Sequence, residues 1–118
     1  RSTMELSSRV VDNIAILTLN GRFDAHERPK ISAWLDKHVK ADTARVLVNM
    51  SGVNFIDSTG LSSLVQGMKH CRQEDGDLSL CELQQPVRII FELTRLDKAF
   101  DLYTSEAEGL KGMAAKQG

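Results

Sequence analysis

The middle of the chain constrains the fold most, because a strand-like run is followed within ten residues by a helix-like run. Val46, Leu47 and Val48 form a short apolar stretch rich in β-branched residues, which is typical of a buried strand. Ser51-Gly52, with Asn54 after it, supplies turn residues that are predicted to end this strand. Apolar residues then recur at helical spacing, at Leu61, Leu64, Val65, Met68 and Cys71.

The helix is predicted to begin near Asp57 or Ser58. Both residue types are favoured at the N-cap, because their side-chain oxygens accept hydrogen bonds from the free amides of the first turn. The same helix end is partly positive and tolerates an added negative group. Capping alone would explain these residue types, so this cluster of hydroxyls does not by itself identify a function.

Strands and helices alternate along the rest of the chain. Two strands joined at Asp12-Asn13 are predicted to open the chain as a hairpin, and alternation after it implies a mixed, partly parallel sheet with helices packed on it. The expected fold class is α/β, with about four to five strands and about four helices. The predicted elements are strands 4–11, 14–19, 78–83 and one near Leu102-Tyr103, helices 28–40 and 86–96, and a last helix opened by Ser105 and Glu108 as a capping box.

Length and composition favour one small domain spanning residues 1–118. Its core is expected over about residues 4–110, with residues 1–3 and the glycine-containing 111–118 flexible. Cys71 and Cys81 lie in apolar patterns without metal-ligand spacing and are expected to be reduced core residues. The net charge of −1 argues against nucleic-acid binding. No run approaches the roughly 18 apolar residues of a membrane span, so no membrane insertion and a cytoplasmic location are expected.

Two motifs resemble a known family. The Asp-Ser-[Ser/Thr]-Gly-Leu motif of STAS domains is matched by Asp57-Ser58-Thr59-Gly60-Leu61. Their Gly-x-x-Asp motif is matched upstream by Gly21-Arg22-Phe23-Asp24, in the same order and at similar separation. The resemblance is greatest to stand-alone bacterial anti-sigma factor antagonists and covers roughly Met4 to Leu110. Two positions depart from the family pattern: Glu27 stands where Ser or Thr often caps the first helix, and Ser62 where many relatives have Gly.

The resemblance implies a phosphorylation site and a partner-binding surface. In that family the hydroxyl directly after the Asp is the phosphoacceptor, which corresponds to Ser58, with Thr59 as the alternative. Asp24 would lie on a loop near this site and could contact a kinase, although it could equally be a simple turn residue. The implied kinase- and partner-binding residues are Asp24, Asp57, Ser58, Thr59, Gly60 and Leu61.

The resemblance further implies partner switching. The unmodified domain would bind an anti-sigma factor that is also a serine kinase and so release a sigma factor. Phosphorylation at Ser58 would end this binding, and a PP2C-type phosphatase would restore it. No cofactor is implied for the chain itself, because ATP and metal ions belong to the partner enzymes. Two alternatives remain: a non-phosphorylated STAS subunit of a lipid-transport ABC system, and direct nucleotide binding, against which the absence of a phosphate-binding loop argues.

An enzyme is not expected. Ser58-Thr59-Gly60 is half of the nucleophile elbow Gly-x-Ser-x-Gly, but Ile56 replaces its first glycine. His70 lies twelve residues further along the same predicted helix, which is roughly 18 Å at 1.5 Å per residue. It therefore cannot activate the hydroxyl. His26 could approach only through the fold, and no orienting acid for it follows a recognised pattern.

Overall fold

The computed structural model describes residues 4–117, and residues 1–3 and 118, which were expected to be flexible, lie outside this range. The described chain contains five strands and four α-helices. The strands are β1 (Met4–Val11), β2 (Ile14–Phe23), β3 (Arg45–Ile56), β4 (Asp77–Cys81) and β5 (Leu102–Tyr103), and the helices are α1 (Arg28–His38), α2 (Ser58–Gln73), α3 (Gln85–Leu93) and α4 (Glu106–Gln117). The predicted α/β class is confirmed.

The strands form one mixed sheet in the order β1-β2-β3-β4-β5. β1 and β2 are antiparallel, and every later pair is parallel. Asp12 and Asn13 join the hairpin with φ of 53° and 65°. A two-residue hairpin turn in which both residues have positive φ is the type I′ arrangement, which Asn and Asp tolerate better than most residues. The predicted opening hairpin is therefore confirmed.

Helices cover both faces of the sheet. The main core combines alternate residues of β3, including Val46 and Val48, with buried residues of α1, α2 and α3. Leu47, between those two valines, joins Met113 of α4 in a smaller cluster on the other face. Because successive strand residues point to opposite faces, this separation places α1, α2 and α3 on one side and α4 on the other.

Two segments differ from the sequence predictions. β3 does not end at Ser51-Gly52 but continues to Ile56, because Gly52 lies against the backbone of β2, where a Cβ atom would be 2.9 Å from the Leu19 carbonyl oxygen. The chain from Gly109 onward was expected to fray, yet α4 extends to Gln117 and buries Met113. In both places a glycine marks close packing rather than a loop.

The remaining helix and strand ends shift by a few residues. α1 ends at His38 rather than Lys40, α3 at Leu93 rather than Leu96, and β4 at Cys81 rather than Leu83. At the start of α4 the Ser105 hydroxyl accepts a hydrogen bond from the Glu108 amide at 3.1 Å, which is one of the two hydrogen bonds of the predicted capping box. Cys71 and Cys81 are both buried and unpaired, as expected.

Glu27 precedes α1 without capping it through its side chain. The carboxylate is instead fully buried and lies 3.3 Å from the Lys30 ammonium group, which also donates a hydrogen bond to the Met4 carbonyl. At the position where many relatives have a capping Ser or Thr, Glu27 thus forms an ion pair in which the carboxylate is buried and the Lys30 ammonium group is partly exposed. This pair joins the start of α1 to the first strand.

Candidate functional site

Ser58 is the first residue of α2 and is exposed to solvent. Asp57 caps the helix, with an extended backbone and a side-chain oxygen that accepts from the Gly60 amide at 2.8 Å. The predicted helix start is therefore confirmed, with Asp57 rather than Ser58 as the cap. Since Asp57 satisfies the cap, the Ser58 hydroxyl is not needed to hold the helix end together.

The three residues after Ser58 are less exposed to solvent than Ser58 is. Thr59 is half-buried, and its carbonyl oxygen accepts a hydrogen bond from the Ser63 hydroxyl at 2.9 Å. Gly60 is buried, and Leu61 is half-buried against the core. Of the two candidate phosphoacceptors, Ser58 is thus the more accessible.

Asp24 lies at the end of β2 and begins a short 3-10 turn over Ala25–Glu27. One of its carboxylate oxygens accepts from the His26 amide at 3.0 Å, and the other lies 3.3 Å from the Arg22 Nε atom. Only 17% of the Asp24 side chain is exposed. This carboxylate is therefore held in a fixed position at the edge of the sheet.

The two motifs meet at the carboxyl ends of adjacent parallel strands. Phe23 and Ile56 are the last paired residues of β2 and β3, and the Asp57 amide donates a hydrogen bond to the Phe23 carbonyl at 3.2 Å. Gly60 lies directly beneath, where a Cβ atom would be 2.7 Å from that same carbonyl oxygen. The structure thus brings the loop of Asp24 and the start of α2 to one edge of the sheet.

The positively charged side chain of Arg22 lies beside this edge, and the sequence analysis did not identify it as a site residue. The Arg22 guanidinium lies 3.5 Å from the centroid of the Phe55 ring, and the two residues are partners in the β2–β3 register. An arginine inside the Gly-x-x-Asp motif and an aromatic residue three positions before Ser58 were the available signals. They could not be connected without the strand register.

No histidine is positioned to activate Ser58. His70 lies in the fourth turn of α2, as expected, and His26 is exposed. The Nδ1 atom of His26 lies 3.6 Å from a carboxylate oxygen of Asp24, too far for a hydrogen bond. Within residues 4–117, no hydrogen bond joins either ring to the Ser58 hydroxyl. The site lacks the contacts of an activated nucleophile.

Three cavities of the molecule lie away from Ser58. A cavity of about 320 Å³ at the amino-terminal ends of β3 and β4 is lined by residues that include Arg45, Asp77, Ser79 and Met113. Ser58 and Asp24, at the carboxyl ends of the strands, contribute nothing to its wall. Among the described residues, no group of three or more His, Cys, Asp or Glu side chains could hold a metal ion. Ser58 thus lies on an exposed surface that another protein can contact.

Comparison with known proteins identifies the family. The family model described as the STAS domain matches residues 5–109. The chain belongs to the STAS domain family. The resemblance seen in the sequence motifs is confirmed, and it extends over all five strands and the first three helices of the fold.

The names of relatives in this family describe regulatory proteins. The anti-sigma-B factor antagonist of Listeria monocytogenes is 28% identical over 106 residues, covering 90% of this chain and 92% of that protein. A STAS anti-sigma-factor antagonist from Planctomyces limnophilus aligns with a TM-score of 0.81 at 23% identity, covering 92% of this chain and 97% of that structure. SpoIIAA in its unphosphorylated form aligns with a TM-score of 0.75 at 20% identity, covering 94% and 97% respectively. These names describe antagonists rather than enzymes, in agreement with the sequence prediction.

The described helices include none that is long and apolar enough to cross a bilayer.

Proposed function

We propose that this STAS domain is an anti-sigma factor antagonist that works by partner switching, with Ser58 as the switch. The unmodified protein binds an anti-sigma factor that is also a serine kinase, and the bound kinase releases its sigma factor. Phosphorylation of Ser58 ends the interaction, and a PP2C-type phosphatase reverses it. The anti-sigma-B factor antagonists among the relatives, and the phosphorylated form of the Bacillus protein SpoIIAA among the structural neighbours, support this proposal.

The observation that carries the proposal is the combination of an exposed Ser58 with a helix end already capped by Asp57. A phosphate adds roughly −1.5 to −2 charges and three acceptor oxygens. At the first position of α2 it faces the partly positive amides of a helix start, so the fold tolerates it. The modification therefore changes the surface seen by a partner without unfolding the helix.

The charge added at Ser58 acts on binding through electrostatic repulsion. Like charges brought together at an interface cost several kcal/mol, and each 1.4 kcal/mol weakens affinity about tenfold. A single phosphate at the centre of a binding surface is thus sufficient to turn binding off. Asp24 and Asp57 lie nearby and keep the edge acidic once the phosphate is present.

Binding to an anti-sigma factor kinase from the source organism tests the proposal. Ser58→Ala is expected to bind it in the presence of ATP as strongly as in its absence, and Ser58→Asp to bind at least tenfold more weakly. Thr59→Ala is the comparison variant for the phosphoacceptor, because it removes the half-buried hydroxyl of the alternative site and leaves Ser58 in place. Mass spectrometry after incubation with kinase and ATP should find the phosphate on Ser58. Equal affinities of Ser58→Ala and Ser58→Asp would refute the switch.

A further inference from the structure

α3 carries apolar side chains that the core does not use. Val87 and Phe91 are fully buried and attach this helix to the sheet. In the part of the chain that the structure describes, three large apolar residues are exposed, and two of them, Ile89 at 42% and Leu93 at 78%, lie on α3. Single exposed apolar residues are common on protein surfaces, but two of three on one short helix form a cluster.

The cluster is part of a continuous line of residues along the outer face of the helix. We call it the α3 stripe, and its members stand at positions i, i+3, i+4 and i+7: Pro86, Ile89, Ile90 and Leu93. Pro86 is exposed and Ile90 is half-buried, so the stripe runs over the whole length of α3. This spacing is the one by which an amphipathic helix packs against a surface outside its own fold.

Two charged residues of opposite sign lie along one side of the α3 stripe. Around the helix axis, Glu92 is about 60° from Ile89, and Arg88 is about 40° further round. Glu92 is exposed and Arg88 is half-buried. Within residues 4–117, neither side chain takes part in an ion pair. One charge of each sign is therefore available beside the stripe.

A second copy of α3 supplies the complement of this surface. Arg88 and Glu92 lie two residues on either side of Ile90. An antiparallel helix related by a two-fold axis at this level places each arginine opposite the glutamate of the other copy, because a two-fold interface brings the same patch of both copies together. On the same axis, Leu93 of one copy falls in the groove beside Pro86 of the other. The surface is thus complementary to itself in both charge and apolar pattern.

We propose that the α3 stripe is the interface of a two-fold dimer of this chain, in which two α3 helices pack antiparallel. The contact is small, because nine residues form a helix about 14 Å long and about 10 Å wide. Such a surface is less than the roughly 800 Å² that each partner of a standard interface buries. The dimer is therefore expected to be weak and reversible. The stripe contains neither Ser58 nor Asp24, so the dimer does not depend on the proposed function.

The molar mass of the full chain, measured by sedimentation equilibrium, tests the dimer. Over about 10 μM to 1 mM the mass should rise from 13.1 kDa towards twice that value. Leu93→Lys should hold the chain at 13.1 kDa, because it places a charge in the apolar contact. Val10→Lys is the matched control, since Val10 is 71% exposed and lies on β1, outside the stripe. This variant should associate as the unsubstituted chain does, and thermal unfolding of each variant verifies that the fold is retained.

Two charge variants test the antiparallel arrangement. Arg88→Glu brings glutamates of the two copies together, and Glu92→Arg brings arginines together. Each variant alone should therefore dimerise at least tenfold more weakly than the unsubstituted chain. An equimolar mixture of the two variants should regain the dimer, because every glutamate of one copy then faces an arginine of the other.

Three results would overturn the proposal. The first is a chain that stays at 13.1 kDa up to about 1 mM, or a dimer that Leu93→Lys leaves intact. The second is a mixture of the charge variants that is no more dimeric than its components, which would exclude antiparallel pairing of α3. The third is a monomeric chain in which Leu93→Lys weakens binding to an anti-sigma factor kinase. In that case the stripe would belong to a contact with a different protein.

Discussion

Replacing Gly60 by alanine should disturb the contact between α2 and the end of β2. The added Cβ atom would be 2.7 Å from the Phe23 carbonyl oxygen and 2.7 Å from Cγ1 of Ile56. The carbonyl belongs to the backbone and accepts the Asp57 amide, so it cannot move without shifting the start of the helix. Gly67, seven residues later in the same helix, provides the comparison. There the added atom would be 3.1 Å from methyl groups of Leu35 and Leu78, which can rotate away.

Two opposing terms set the magnitude of the Gly60→Ala effect. Alanine is favoured over glycine within a helix by about 1 kcal/mol. Overpacking typically costs about 1 to 3 kcal/mol, and contact with backbone places Gly60 near the upper limit. We therefore expect Gly60→Ala to lower the free energy of unfolding by about 2 kcal/mol. Gly67→Ala should change it by less than about 1 kcal/mol, in either direction.

Urea denaturation followed by circular dichroism measures both variants against the unsubstituted chain. The midpoint should fall for Gly60→Ala with an unchanged slope, because the surface exposed on unfolding stays the same. Gly60→Ala with a stability equal to or above that of Gly67→Ala would refute the reasoning. It would mean that the junction between β2 and α2 is loose, and the fixed positions of Asp24 and Ser58 would lose their physical basis.

Three further predictions concern buried groups. Burial raises the pKa of the Cys71 and Cys81 thiols from 9.0 to about 12. The native protein should therefore not react with a thiol reagent at pH 8, whereas the urea-unfolded chain should expose two reactive thiols. Above pH 9.0 the unfolded chain releases these protons while the native chain keeps them, so the protonated thiols contribute fully to stability below that pH. Their contribution should be lost towards pH 12, at roughly 1.4 kcal/mol per pH unit for each thiol. A Cys71→Ala/Cys81→Ala protein whose free energy of unfolding, measured by urea titration, fell as steeply with pH would contradict this. Lys30→Met removes the ammonium group beside the fully buried Glu27 carboxylate and should lower the free energy of unfolding by about 2 kcal/mol. Adding Glu27→Gln to this variant should recover part of the lost stability, because it removes the buried charge. A double variant no more stable in urea than Lys30→Met alone would exclude the ion pair as the cause.

The sequence predicted those parts of the fold that depend on local pattern. The positive-φ pair Asp12-Asn13 and the cap at Asp57 are local signals, and both were read correctly. The prediction that β3 ends at Gly52 was wrong, because the sequence alone does not distinguish a glycine in a turn from a glycine packed against a neighbouring strand. Only the register irregularity between β2 and β3 near Asn20 distinguishes them.

The extent of α4 and part of the site depend on contacts between distant residues. Gly109 packs against Leu47, and Gly112 against the ring of Tyr103, so that two glycines which weaken an isolated helix let this one lie close on the sheet. The Arg22–Phe55 contact likewise joins residues 33 positions apart in the sequence. Such pairs follow from strand order and register, which periodicity within one segment cannot supply.

The agreement between strand order and chain order has a consequence for synthesis on the ribosome. Each new strand adds to the outer edge of those that precede it, and none has to be inserted between two strands that are already paired. The chain can therefore assemble progressively from its amino terminus as it emerges, in the way that domains begin to fold during translation. The edge that carries Ser58 can form once β3 and α2 have appeared, before α4 covers the opposite face.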